Sequence, residues 1–125
     1  MRIGFVSTYP PIECGIATYT SYLNETLRKV GNETFVVSPL GAQGIGVFPI
    51  YRPESTSMPK QIFDISAEFT PDIIHIQHEY GLYGPQRGVH VIGLISCISS
   101  QAHRLSQHCI PFRRRLIMQK SPCCV

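Results

Sequence analysis

The first nineteen residues constrain this chain more than any other stretch. Arg2-Ile-Gly-Phe-Val-Ser7 is a short apolar run suited to a strand covered on both faces. Thr8–Gly15 carries Pro10, Pro11 and Gly15 and reads as a loop. Ile16, Tyr19, Leu23, Leu27 and Val30 then recur at spacings of 3, 4, 4 and 3, which is one face of a helix. A buried strand that turns straight into a helix places unpaired backbone N–H groups at the strand's carboxyl end. The helix end also carries roughly +0.5 charge, so anions, phosphates above all, are favoured there. An ordinary strand-to-helix turn without a ligand has the same pattern, and the residues alone leave both readings open.

The rest of the chain repeats the alternation. Arg28 and Lys29 fall in the helix's last turn, where cations suit the dipole, and Gly31 fits a left-handed C-cap. Glu33–Ser38 is a second strand, stopped by Pro39. Gly41-Ala-Gln-Gly-Ile-Gly46 reads as a flexible surface loop. Its glycine spacing is not the dinucleotide fingerprint. Val47–Tyr51 forms a short extra strand. Pro59 suits the first position of a helix over Lys60–Phe69. Ile73–Gln77 is the next strand, His78–Gly88 a loop, and Gly88–Ile95 the start of a third helix. Strand, helix, strand, helix, strand, helix predicts an α/β fold: a parallel sheet with right-handed crossovers and flanking helices.

Composition limits the possible functions. At 125 residues the chain is one domain at most, and 43% hydrophobic against 15% charged content makes it globular. Met1-Arg2 runs directly into the first strand, with no leader pattern. No apolar run reaches the roughly 20 residues needed to span a bilayer, so the expected compartment is the cytoplasm. The net charge of +3 is split. Six basic and eight acidic residues precede Ser96, whereas five basic and no acidic ones follow Ile95. Four of the five cysteines, Cys97, Cys109, Cys123 and Cys124, also lie in that last segment.

The segment His75-Ile-Gln-His-Glu-Tyr-Gly-Leu-Tyr-Gly84 is the second strong signal. On a strand, His75 and Gln77 share one face and Ile74 and Ile76 the other. His78 and Glu79 then fall where the strand opens into a loop, at the end where parallel sheets bind ligands. A histidine beside a glutamate there can bind sugar hydroxyls or shuttle protons. His75 reads as a hydrogen-bonded core residue.

Tyr9-Pro-Pro-x-x-Cys14-Gly15-Ile16-Ala17-Thr18, with Ile76-Gln77-His78-Glu79-Tyr80-Gly81-Leu-Tyr83-Gly84 some sixty residues later, closely resembles the amino-terminal domain of the family 4 retaining glycosyltransferases. The likeness covers about residues 1–95. It implies a partial Rossmann-like parallel sheet, the first half of a GT-B amino-terminal domain. It also implies a nucleotide-sugar donor, a sugar or lipid-linked acceptor, and transfer of a hexose between them. By that resemblance Cys14, Gly15, Ile16 and Thr18 approach the donor diphosphate. His78 and Glu79 line the cleft near the transferred sugar. No cofactor or metal is implied. The family's nucleotide pocket and its Glu-x7-Glu pair belong to a second domain. Glu25 and Glu33 have the same spacing here by coincidence, since they straddle the first helix and second strand.

Residues 96–125 show no sustained period. Their Ser, Cys and Arg content without acids is what a shifted reading frame yields, so they are expected to be a disordered or non-native tail. A zinc site from Cys97, His103, His108, Cys109, Cys123 and Cys124 lacks any C-x2-C pair. Arg113-Arg114-Arg115 offers at best non-specific contact with nucleic acid. The sequence reading is thus a glycosyltransferase fragment, inactive alone, whose half sheet leaves an edge open to association. A non-catalytic module binding a sugar-phosphate or a partner chain is the alternative, and a non-functional truncated product the third possibility.

Overall fold

In the computed structural model, which describes residues 1–79, 81–84, 88–106 and 115–120, strand β1 (Arg2–Val6) is the centre of the molecule. It is flanked by β2 (Glu33–Pro39) and β4 (Ile73–His78). β3 (Val47–Tyr51) and β5 (Arg115–Lys120) lie outermost. The sheet is parallel throughout, in the order β3-β2-β1-β4-β5. Helices α1 (Gly15–Lys29), α2 (Met58–Glu68) and α3 (His90–Ser106) flank it. This is a Rossmann-like α/β arrangement.

The strands are buried because alternate side chains serve two separate cores. Ile3 and Phe5 of β1 join Val36 of β2 in a small core against Leu23 and Leu27 of α1. Val6, Val37, Ile74 and Ile76 enter the larger core with Met58 and Ile62 of α2 and Val91, Leu94 and Ile98 of α3. Gly4 makes room on that second face. A Cβ there would lie 2.5 Å from the tip of the Phe35 ring, which stacks on Phe69 at 4.7 Å.

Helix α1 begins and ends where the sequence predicts. Cys14 is its extended N-cap, and Gly31 takes φ +90° after the C-cap Val30. The N–H groups of Gly31 and Asn32 return to the Arg28 and Leu27 carbonyls at 3.0 Å each, closing a Schellman motif. The buried face differs from the predicted stripe. Ile16, Leu23 and Leu27 of that stripe face the core, but Tyr19 and Val30 are exposed, and Ala17, Thr20 and Asn24 are buried in their place. The two polar residues have partners. Thr20 bonds Ser7 at 2.7 Å, and Asn24 donates to the Tyr9 hydroxyl at 3.3 Å.

The glycine loop lies on the surface, as the sequence predicts, with Gly41, Gln43, Gly44 and Ile45 exposed. It carries β2 into its parallel neighbour β3 without an intervening helix, and the register pairs Val36 with Val47. So sharp a return needs Gly41 at φ +104° and Gly46 at φ +72°. The loop is also fastened. Gln43 N–H donates to Pro10 O at 2.9 Å, and Arg28 donates to Thr34 Oγ1, Thr34 O and Ile45 O at 2.7, 3.1 and 3.0 Å.

The α/β pattern also continues past Ile95, where the sequence reading ends it. α3 runs on to Ser106, and Arg115–Lys120 adds a fifth strand in parallel register with β4, Ile117 beside His75. Most of the cysteine and histidine set and Arg113-Arg114 lie outside the described residues. Among the described residues no helix is long and apolar enough to cross a membrane.

Candidate functional site

Strand order creates a crevice. From β1 the chain builds outward through β2 to β3, then returns to place β4 on the other side of β1. The loops leaving β1 and β4 therefore diverge at the sheet's carboxyl edge. In open α/β sheets this topological switch point is where ligands bind.

The wall after β1 is the turn into α1. The Cys14 thiol accepts the Ala17 N–H at 3.3 Å and lies 3.1 Å from Thr8 Oγ1. Thr18 N–H reaches the Cys14 carbonyl at 3.3 Å. Ala17 is thus engaged in capping. Among the described residues the Gly15 and Ile16 N–H groups have no acceptor. A Cβ at Gly15 would meet nothing within 4 Å, so the backbone there is open to approach. Thr18 is exposed on the first turn and Ile16 is buried.

The wall after β4 holds His78, the strand's last residue, and Glu79, both half-buried. The His78 ring stacks on Tyr83, centroids 6.0 Å apart and planes 13° from parallel. Tyr83 is fully buried, and its hydroxyl reaches the Val6 carbonyl at 2.9 Å and the Gln77 carbonyl. Burial, and secondarily the nearby Tyr51, push the Tyr83 hydroxyl well above its usual range. It is therefore a neutral donor. His75 sits half-buried on the α1 side of the sheet with its ring 5.4 Å from Phe5. Tyr80 lies outside the described residues.

The structure therefore brings Cys14, Gly15, Ile16 and Thr18 to the carboxyl end of β1, and His78 and Glu79 to that of the adjacent β4. Sequence reasoning missed Tyr83, although a bulky aromatic inside a glycine-rich loop is a signal of anchoring. It also missed the buried polar layer beneath α1, where Ser7, Thr20, Asn24, Ser38 and Gln77 are all sequestered.

Two clefts, of about 440 and 290 Å³, lie at the opposite, amino-terminal edge around Arg2 and Glu33. Arg2 there is committed to structure. It pairs with Glu33 at 2.7 Å and donates to Phe69 O and Thr70 Oγ1 at 2.9 and 3.1 Å. Glu33 is thereby held at the edge away from the crevice. Among the described residues no three His, Cys, Asp or Glu side chains gather as a metal site. In comparisons with known proteins, no family model and no curated protein matched the chain.

Proposed function

We propose that this chain is the first half of the amino-terminal domain of a retaining GT-B glycosyltransferase of the family 4 kind. In this reading the crevice between β1 and β4 receives a nucleotide-sugar. One observation carries the reading. The two segments on which the resemblance rests, remote in sequence, end on adjacent strands at the switch point of a parallel sheet.

The chemistry follows from the parts. In hexosyl transfer the bond between the sugar's anomeric carbon and the diphosphate oxygen breaks. An acceptor oxygen bonds to that carbon, and the acceptor's proton departs. Negative charge grows on the leaving diphosphate, and fixed N–H donors lower the barrier most when aimed there. Gly15 and Ile16 supply such donors, and Thr18 adds a hydroxyl. Cys14 holds the first turn in shape by taking the Ala17 amide. His78 and Glu79, across the crevice, contact hydroxyls of the sugar or acceptor.

Titration of the labelled chain with a nucleoside diphosphate tests this. The amides of Gly15 and Ile16 should shift most and Ala17 less, because its N–H is already engaged. For these 125 residues alone, affinity should be about millimolar, roughly −4 kcal/mol, because the family's nucleotide pocket belongs to a second domain. Shifts confined to Arg113–Arg115 would show that the ligand merely meets positive charge.

A further inference from the structure

We infer that Tyr83 is the positioning residue of the crevice: fastened by its hydroxyl to the ends of β1 and β4, it sets the plane of the His78 imidazole. The inference rests on the reading of His78 as a residue that faces ligand.

Three observations converge on it. The β1–β4 pairing ends at Val6 and Ile76, and the Tyr83 hydroxyl lies where the next rung of the ladder would be. One proton is shared between the Val6 and Gln77 carbonyls, so the ring is tied to both strands at once. The same ring then lies nearly parallel to that of His78. Gly88 lies against both partners of the stacked pair. A Cβ there would stand 3.4 Å from His78 Nε2 and 3.5 Å from Tyr83 Cβ, and φ of +78° favours glycine. The imidazole thus has an anchored aromatic face along its plane and a bare backbone close to its Nε2.

A side chain that must meet a sugar hydroxyl gains from such locking. A displacement of about 1 Å from the productive position can cost ~10²-fold in rate. Tyr83 touches neither donor nor acceptor in this arrangement. It acts through His78.

The test uses the full chain without ligand, so that failed nucleotide binding and failed positioning give separate results. The imidazole proton resonances of His78, assigned with His78→Gln, are followed in Tyr83→Phe and Tyr83→Leu. Tyr83→Leu should abolish the ring-current displacement of those protons. Tyr83→Phe keeps the ring but frees it from the strands, and should leave a reduced, motionally averaged displacement. Amide spectra of β1, β2 and β3 report whether the fold is kept. In Tyr83→Phe, which keeps the ring, a purely structural tyrosine would lower stability and leave the His78 signals in place. Unchanged His78 resonances in folded Tyr83→Phe would overturn the inference. So would wild-type His78 protons at random-coil positions. If Tyr83→Leu does not fold, the phenylalanine variant decides alone.

Discussion

The hydroxyls of Ser7 and Thr20 lie 2.7 Å apart, both fully buried, and join the end of β1 to the second turn of α1. This pair fixes the amino-terminal half of the helix over the strand it follows. Thr20→Val keeps the shape but strands the Ser7 hydroxyl, and should cost about 1–3 kcal/mol. The double variant Ser7→Ala with Thr20→Val should cost less than the sum of the two single changes, because no polar group is left alone. Urea unfolding of the four proteins gives the coupling. Additive losses would mean the hydroxyls do not depend on each other.

Gly46→Ala places a Cβ 2.5 Å from Arg28 Nη2 and forces an L-residue to φ +72°. The guanidinium must swing away, loosening its bonds to Thr34 and Ile45. A loss of about 1–3 kcal/mol is expected. Gly15→Ala, with open space at its Cβ, should change stability by under about 0.5 kcal/mol while weakening nucleoside diphosphate binding. Thermal melts of both variants check the contrast.

The outcome at these positions shows where sequence reading works here. β1, β2 and β4 are legible because strands buried on both faces are short apolar runs ended by Pro39 or a polar loop. The bounds of α1 are legible because Gly31 and the basic last turn mark its end. The inner face of α1 is legible only in Ile16, Leu23 and Leu27, because Thr20 and Asn24 count as polar until Ser7 and Tyr9 are known to meet them. The glycine loop is read correctly as lying on the surface, but the reason for its glycines is not visible. Its glycines are demanded by a return into parallel pairing and by Arg28, neither of which leaves a local pattern. The end of α3 and the whole of β5 lie in Ser-, Cys- and Arg-rich sequence with no period. Pairing with β4, not a local signal, makes Arg115–Lys120 a strand. Within the candidate site, the two motif segments are visible in sequence. Tyr83 is part of the second, but its anchoring is not visible there, since its hydroxyl partner Val6 lies 77 residues away.

Alkaline pH should unfold the protein through its buried tyrosines. Burial raises both Tyr51 and Tyr83 above their unfolded value near 10, with the neighbouring tyrosine adding to the rise at Tyr83. A raised pKa means the folded state keeps a proton that the unfolded chain releases. Stability is therefore fully present below pH ~10 and falls as pH rises beyond it, by up to about 1.4 kcal/mol per pH unit for each tyrosine. Tyr83→Phe should remove about half of that alkaline slope. Unfolding free energies measured from pH 8 to 11.5 test it. An unchanged slope in the variant would assign the effect to other groups.

These 125 residues on their own should transfer no sugar from any nucleotide-hexose. The crevice offers one helix end and one histidine-glutamate pair, whereas removing even a single oxyanion-type donor can cost ~10²–10³ in rate. The measurement is a radiolabelled-donor assay with mixed acceptors, run beside His78→Ala. Transfer that vanishes in the variant would prove that the wall formed here suffices for catalysis.

The central place of β1 has a consequence for the order of assembly. Its neighbour β2 follows after one helix, but its other neighbour arrives late: Asp72, at the threshold of β4, accepts the Arg2 N–H across 70 residues. The segment from β1 through β3 can condense while the growing chain still lacks β4, leaving one flank of its central strand bare. Closing that flank is the entropically expensive, rate-setting contact of such a topology. Tyr83, whose hydroxyl spans the β1–β4 seam, is then a latch that engages after the seam has formed.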